Sequence, residues 1–183
     1  MNLLRGFCKG VDFVNEHVGR LASYLCAFMM VIVTFEVVAR YAFNRPTIWA
    51  MEINQFLLCG LTALTGGYTL LYRGHVNVEI LYMRFGTRTR ALVDILTSFF
   101  FFSFVIVLLW KSGLMAAEAW RLWEKSETLF SPPLFPVKVV IPIGAFLILL
   151  QGFVQLIRNF ITLITGVEEE RKVKGLFEVE RER

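Results

Sequence analysis

Charge and histidine are scarce in this chain. Asp, Glu, Lys and Arg make up 19% of its 183 residues, where a soluble protein has about 25%, and there are 2 His. Cysteine is equally sparse: 3 residues, Cys8, Cys26 and Cys59, with no CxxC pair. That excludes a disulfide scaffold and leaves no spacing for a metal site. Disorder is excluded as well, because it needs low hydrophobicity and high net charge, whereas 56% of this chain is apolar. The net charge is +4, but the basic residues are scattered among apolar blocks. No Lys/Arg stripe with interleaved aromatics is present, so nucleic acid is not the partner. A phosphate loop, a GxSxG motif and a carboxylate pair at catalytic spacing are all missing, so the sequence offers no catalytic machinery, and no cofactor is expected. What is abundant is apolar surface: 18 Phe and a mean hydropathy of +0.60. The chain reads as an integral membrane protein.

Four apolar segments stand out, at about 21–39, 49–72, 91–110 and 137–157. Each approaches the ~20 residues that a helix needs to cross the hydrocarbon core. Backbone groups in lipid must be satisfied within the segment, so helix is the required state. This holds even for the run Phe99 to Phe102, which is strand-like by propensity. The expected fold is an all-α integral membrane protein with four transmembrane helices. Residues 1–20 are expected to form an amphipathic helix in the interface. Leu4, Phe7, Val11, Val14 and Val18 would lie on its apolar side, and Arg5, Lys9, Asp12 and Glu16 on the other. The transmembrane domain would cover 21–165, and a charged cytoplasmic tail 166–183. Segment three carries Asp94 in its first turn. It is expected to leave the membrane as one long helix to about Lys125, because Glu118, Arg121 and Lys125 follow helical spacing. Trp120 and Trp123 suit the headgroup level. Ser131-Pro132-Pro133 and Pro136 should break that helix, and Pro142 should kink segment four. A short apolar-and-polar stretch, His75 to Phe85, fills the second connector. No internal or inverted repeat is visible.

Basic residues partition unevenly between the connectors. The first 20 residues, the second connector and the chain from Arg158 onward hold three, four and six; the first connector holds two, and the third, counted through Lys138, holds four. The positive-inside rule then places both termini in the cytoplasm.

Within the spans, charge is the usual functional flag. Glu36 precedes Arg40 by four residues, the favourable order for an ion pair. A stand-alone exporter using Glu36 as its coupling acid is the functional alternative. Arg45, Trp49 and Glu52 complete an outer rim around the first connector, with Glu52 placed where a helix N-terminus favours a carboxylate. His17 and His75 fall on the same side of the membrane. Together they could ligate haem, as in the membrane anchor of a respiratory enzyme; otherwise both are polar residues at the interface. Cys59, Ala63 and Gly67 form a small-xxx-small stripe that permits close helix approach, either within this chain or to another membrane protein. Gln151 and Gln155, followed by Arg158, can bond across helices.

Several stretches, in order, carry a family resemblance. Arg40-Tyr41-Ala42-Phe43-Asn44 closes the first span and Trp49-Ala50-Met51-Glu52 opens the second. Arg73-Gly74-His75-Val76-Asn77-Val78-Glu79 follows it, and Pro142-Ile143-Gly144 lies in the fourth. Over roughly residues 15 to 160 the chain resembles the small membrane subunit of tripartite ATP-independent periplasmic (TRAP) transporters. The family usually has Asp at Glu79 and often a second acid at Met51. The resemblance implies a bacterial inner-membrane complex, in which a periplasmic binding protein delivers an organic acid. A large membrane subunit carries that acid with sodium by an elevator-type movement. The small subunit would hold no substrate. It would brace the large subunit and help the binding protein dock, with membrane lipids as its other partner.

Overall fold

The computed structural model describes residues 2–72 and 87–165. They form four helices: α1 (Asn2–Tyr41), α2 (Ala50–Leu71), α3 (Thr87–Leu122) and α4 (Phe135–Thr165). The expected stretch His75 to Phe85 and the charged tail lie outside the described residues. Three of the helices are long and apolar enough to cross a membrane: Gly6–Tyr41, Leu92–Leu122 and Phe135–Ile164. α2 is less apolar, since it carries Glu52, Asn54, Gln55, three Thr and three Gly. Its Thr62, Thr65 and Thr69 hydroxyls each donate to the carbonyl four residues back, at 2.7 to 2.9 Å, so none of the three needs water.

α1 differs from the expectation of a separate interfacial helix. It runs unbroken through residue 20 for 40 residues, about 60 Å at 1.5 Å per residue. Gly6 and Gly10 do not interrupt it; each is an intrinsic cost of about 1 kcal/mol that packing elsewhere on the helix outweighs. A stripe runs along α1 at three- and four-residue steps, buried at Cys8, Val11, Asn15, Gly19 and Ala22, half-buried at Leu25 and Met29, and buried again at Ile32. That stripe is not the expected apolar side. Val11 belongs to it, but Phe7 and Val14 are exposed, and Asp12, expected on the polar side, turns towards α4.

α4 is the hub. It packs on α3, α2 and α1, and α2 also packs on α1. Contact along α3 is chiefly with α4, so Phe99, Phe100, Phe104, Ile106 and Val107 all stay exposed. α2 and α4 run parallel, since Ala63 meets Gly144 near one end and Leu70 meets Gln155 near the other.

The long third helix ends at Leu122, three residues short of the expected Lys125. Trp123 adopts φ 48°, and the chain reverses in an ordered hairpin. Ser126 N–H donates to Pro132 O at 2.9 Å and Leu134 N–H to Glu124 O at 2.9 Å. Trp120 and Trp123 close edge-on against Phe135, both at 5.2 Å. Pro132 and Pro133 lie in the returning strand of that hairpin. Pro136 does not break a helix but sits in the first turn of α4, where its missing N–H has no intrahelical role. α4 continues through Pro142, whose lack of an N–H removes one rung of the ladder, at the Lys138 carbonyl.

Candidate functional site

Two polar assemblies sit at opposite ends of the α1–α2–α4 group. The inner one joins α1 to α4. Arg158 Nη2 donates to Asp12 Oδ2 at 2.5 Å, and Gln151 Nε2 donates to Asp12 Oδ1 at 3.0 Å. Asn15 Nδ2 donates to Gln151 Oε1 at 2.8 Å and to its own helix at Val11 O. Asn15 and Gln151 are at most 1% exposed. The Asp12 and Arg158 side chains are 15% and 18% exposed. Both Asp12 oxygens and both ends of the Gln151 amide are engaged, which is what a buried polar group requires. Apolar packing of Cys8 and Val11 on Val154, flanked by Leu150 and Ile157, seals this clasp. Next to it, Gln155 Nε2 donates to the Leu70 carbonyl at 2.6 Å, which ties α4 to the last turn of α2.

Glycine makes the clasp possible. A Cβ on Gly67 would stand 2.1 Å from Asn15 Oδ1 and 3.4 Å from the Leu147 backbone, and one on Gly144 would stand 2.3 Å from the Ala63 carbonyl oxygen. Ala63 and Gly67 of the sequence stripe therefore face this chain's own helices. Cys59 is a half-buried free thiol. Asn15 Oδ1, directed at Gly67, has no hydrogen-bond partner among the described residues; a Cα–H contact from the glycine is the interaction open to it.

The outer assembly is local in sequence. Arg40 Nη2 and Nε donate to Glu36 Oε1 at 2.7 and 3.2 Å. The other oxygen, Glu36 Oε2, accepts from Thr47 N–H at 3.1 Å and from the Thr47 hydroxyl. The connector bends tightly to bring Thr47 there: Asn44 has φ 51°, and Arg45 N–H donates to Ala39 O at 2.9 Å. Trp49 stacks on Phe35 at 6.0 Å. The Arg45 side chain is exposed and Glu52 half-buried, with Glu52 Oε2 lacking a hydrogen-bond partner among the described residues.

Of the residues singled out in the sequence, Glu36, Arg40 and Trp49 meet at the outer rim, and Ala63, Gly67, Gln151 and Gln155 meet around the inner clasp. Pro142 lies two residues before Gly144. Arg73, His75 and Glu79 lie outside the described residues. His17 is exposed and bonds its own helix, Nδ1 to Phe13 O at 3.1 Å, with its ring 4.0 Å from that of Phe13. Sequence reasoning missed Asp12 and Asn15. A signal for them existed: they are polar and three apart, on the face that also holds Cys8, Val11 and Gly19.

The described residues are helical, and three of the helices are long and apolar enough to cross a membrane. Residues 29–162 match the family described as tripartite ATP-independent periplasmic transporters, DctQ component. The chain belongs to that family: it is the small component of a TRAP transporter, a multi-pass protein of the inner membrane. Such components work together with a large membrane component and a binding protein. No curated protein matches the chain.

Proposed function

We propose that this chain is a non-catalytic brace for the large subunit of a sodium-coupled, binding-protein-dependent transporter of organic acids. In this reading all four helices span the membrane, α2 included, and both termini are cytoplasmic. The outer rim of Glu36, Arg40, Arg45, Trp49 and Glu52 then faces the periplasm, where it helps the binding protein dock.

The observation that supports bracing is how the polar groups are used. Transport sites near the bilayer midplane are typically built from broken helices whose free ends and unwound carbonyls hold ions. Here α1, α2, α3 and α4 each run unbroken through their described length. Asp12 is spent on Arg158 and Gln151, and Glu36 on Arg40 and Thr47. Groups tied this way hold helices together.

Reconstitution tests this. The chain alone in vesicles should move no organic acid under a sodium gradient. Adding the large subunit and the cognate binding protein should give sodium-driven uptake. Uptake by the chain alone would overturn the proposal and favour a stand-alone carrier.

A further inference from the structure

Neighbouring helices in this bundle are out of step. Each apolar stretch is bounded by basic residues: Arg20 and Arg40 on α1, Arg90 and Lys111 on α3, Lys138 and Arg158 on α4. If the helices stood upright in the bilayer, these boundaries would be level. They are not. Arg158 meets Asp12, eight residues short of Arg20, which is about 12 Å along α1. Gly19 meets Tyr68 on α2 and Gly67 meets Leu147 on α4, so Arg20 lies level with the middle of the α4 stretch.

On the other flank the offset has the same sense. Phe101 lies against Gly152, Phe102 against Phe153 at 4.8 Å, and Trp120 against Phe135 at 5.2 Å. Arg90 is therefore about 7 Å beyond the level of Arg158, and Lys111 about 10 Å inside the level of Lys138. From α1 through α4 to α3 the apolar stretch slides by about 20 Å along the axes. Two interhelical steps of 8–10 Å cover a similar lateral distance.

We propose that the bundle crosses the bilayer obliquely: a slide of about 20 Å over a similar lateral distance corresponds to a tilt of roughly 45°, just past the usual range of about 0–40° for transmembrane helices. The surface that meets lipid is a diagonal band. It crosses α1 in its second half, around Phe28 and Val31, and α3 in its first half, around Phe100 and Phe104, all of them exposed. The first half of α1 stands at or past the inner headgroups, and the end of α3 with its hairpin at or past the outer ones. Each stretch between bounding charges is about 30 Å long and covers about 21–23 Å of depth at this tilt, so the band brings every bounding charge close enough to an interface for its long side chain to reach the headgroups. An upright placement would put Lys111 and Arg20 inside the hydrocarbon, where a charge costs several kcal/mol.

Two pairs of exposed positions separate the alternatives. Phe13 and Phe100 are level along the bundle, as are Val31 and Trp120, and all four are 58% to 73% exposed. Each is changed to Cys in the full chain, with Cys8, Cys26 and Cys59 replaced by Ala, and spin-labelled in phospholipid nanodiscs. Collision with oxygen, which concentrates in hydrocarbon, is compared with collision with a water-soluble nickel chelate. The oblique placement requires a several-fold higher oxygen-to-nickel ratio at 100 than at 13, and at 31 than at 120. Equal ratios within each pair, or the reverse order in either, overturn it. Quenching of a fluorophore at the same four sites by lipids labelled at known chain depths must give the same order, and a different order also overturns it.

Discussion

The inner clasp and the outer rim are both built on a carboxylate of α1 paired with an arginine, yet they do different work. At the rim, Glu36 finds Arg40 four residues on and Thr47 eleven residues on. The rim secures the turn between α1 and α2, which the chain already joins covalently. At the clasp, Asp12 finds Gln151 and Arg158, 139 and 146 residues away. Only the clasp fixes the relative position of distant parts of the chain. A contact across that separation must overcome the ordering of everything between, so it carries more of the tertiary specification than a local pair does.

Breaking the clasp should therefore have the largest effect. Arg158→Ala leaves the Asp12 carboxylate mostly buried with only Gln151 to meet it. Removing one partner of a buried pair costs about 3–5 kcal/mol, with the lower figure apt here because both side chains keep some exposure. The chain in detergent should lose a large part of its unfolding midpoint. The double variant Asp12→Ala with Arg158→Ala should regain much of that loss, since no charge is then left uncompensated. If the double variant is as unstable as the sum of the two singles, the pair is not coupled.

The same contrast explains what could be read from the sequence. The four apolar segments, the i to i+4 pair at the rim and the small-residue stripe follow local rules, and the helices appear where length and hydropathy place them. Residues 1–20 were legible as helix but not in their partners. Local amphipathicity puts Asp12 with Arg5, Lys9 and Glu16 on a solvent face, because nothing local says that Gln151 and Arg158 will stand opposite. Breakers were only half legible. Proline excludes an N–H donor, but whether it ends one helix or opens the next depends on which side of the turn it falls, as Pro136 shows. The stagger of the spans needs pairings such as Asp12 with Arg158 and Phe101 with Gly152, which no single segment contains.

Next in size comes the backbone contact beneath the clasp. Gly144→Leu and Gly67→Leu should each destabilise by about 1–3 kcal/mol, the usual range for overpacking, with Gly144 the worse. Its Cβ would meet the Ala63 backbone, which cannot rotate away, whereas Gly67 confronts the Asn15 side chain, which can. Both variants should insert normally and then aggregate or be degraded even when expressed alone. Normal yield and stability of the lone chain, with loss only of co-purification with the large subunit, would show instead that the stripe serves the partner.

Smaller still is Gln155→Leu. It removes one hydrogen bond to the Leu70 carbonyl, and such bonds between membrane helices average about 0.6 kcal/mol. The unfolding midpoint should fall slightly. Protection of the last turn of α2 against hydrogen exchange should fall more, because that carbonyl terminates the helix. Unchanged exchange there would mean that α4 does not hold the end of α2.

Arg40→Ala should cost least in stability, which is the sharpest form of the comparison with Arg158→Ala. Chemically the two substitutions are the same: each removes the guanidinium from an α1 carboxylate. Yet Glu36 keeps both bonds from Thr47 on its other oxygen, and Arg40 is half exposed to begin with. The isolated chain should unfold within a degree or two of the unmodified protein. What should change is assembly, since the rim is the part of the chain proposed to face the periplasm beside the binding protein. Co-purification and uptake in the reconstituted complex would fall while the substrate concentration giving half-maximal uptake stays the same. A change in that concentration with assembly intact would argue that the rim reads substrate. A loss of stability as large as that of Arg158→Ala would erase the distinction between a local pair and a distant one.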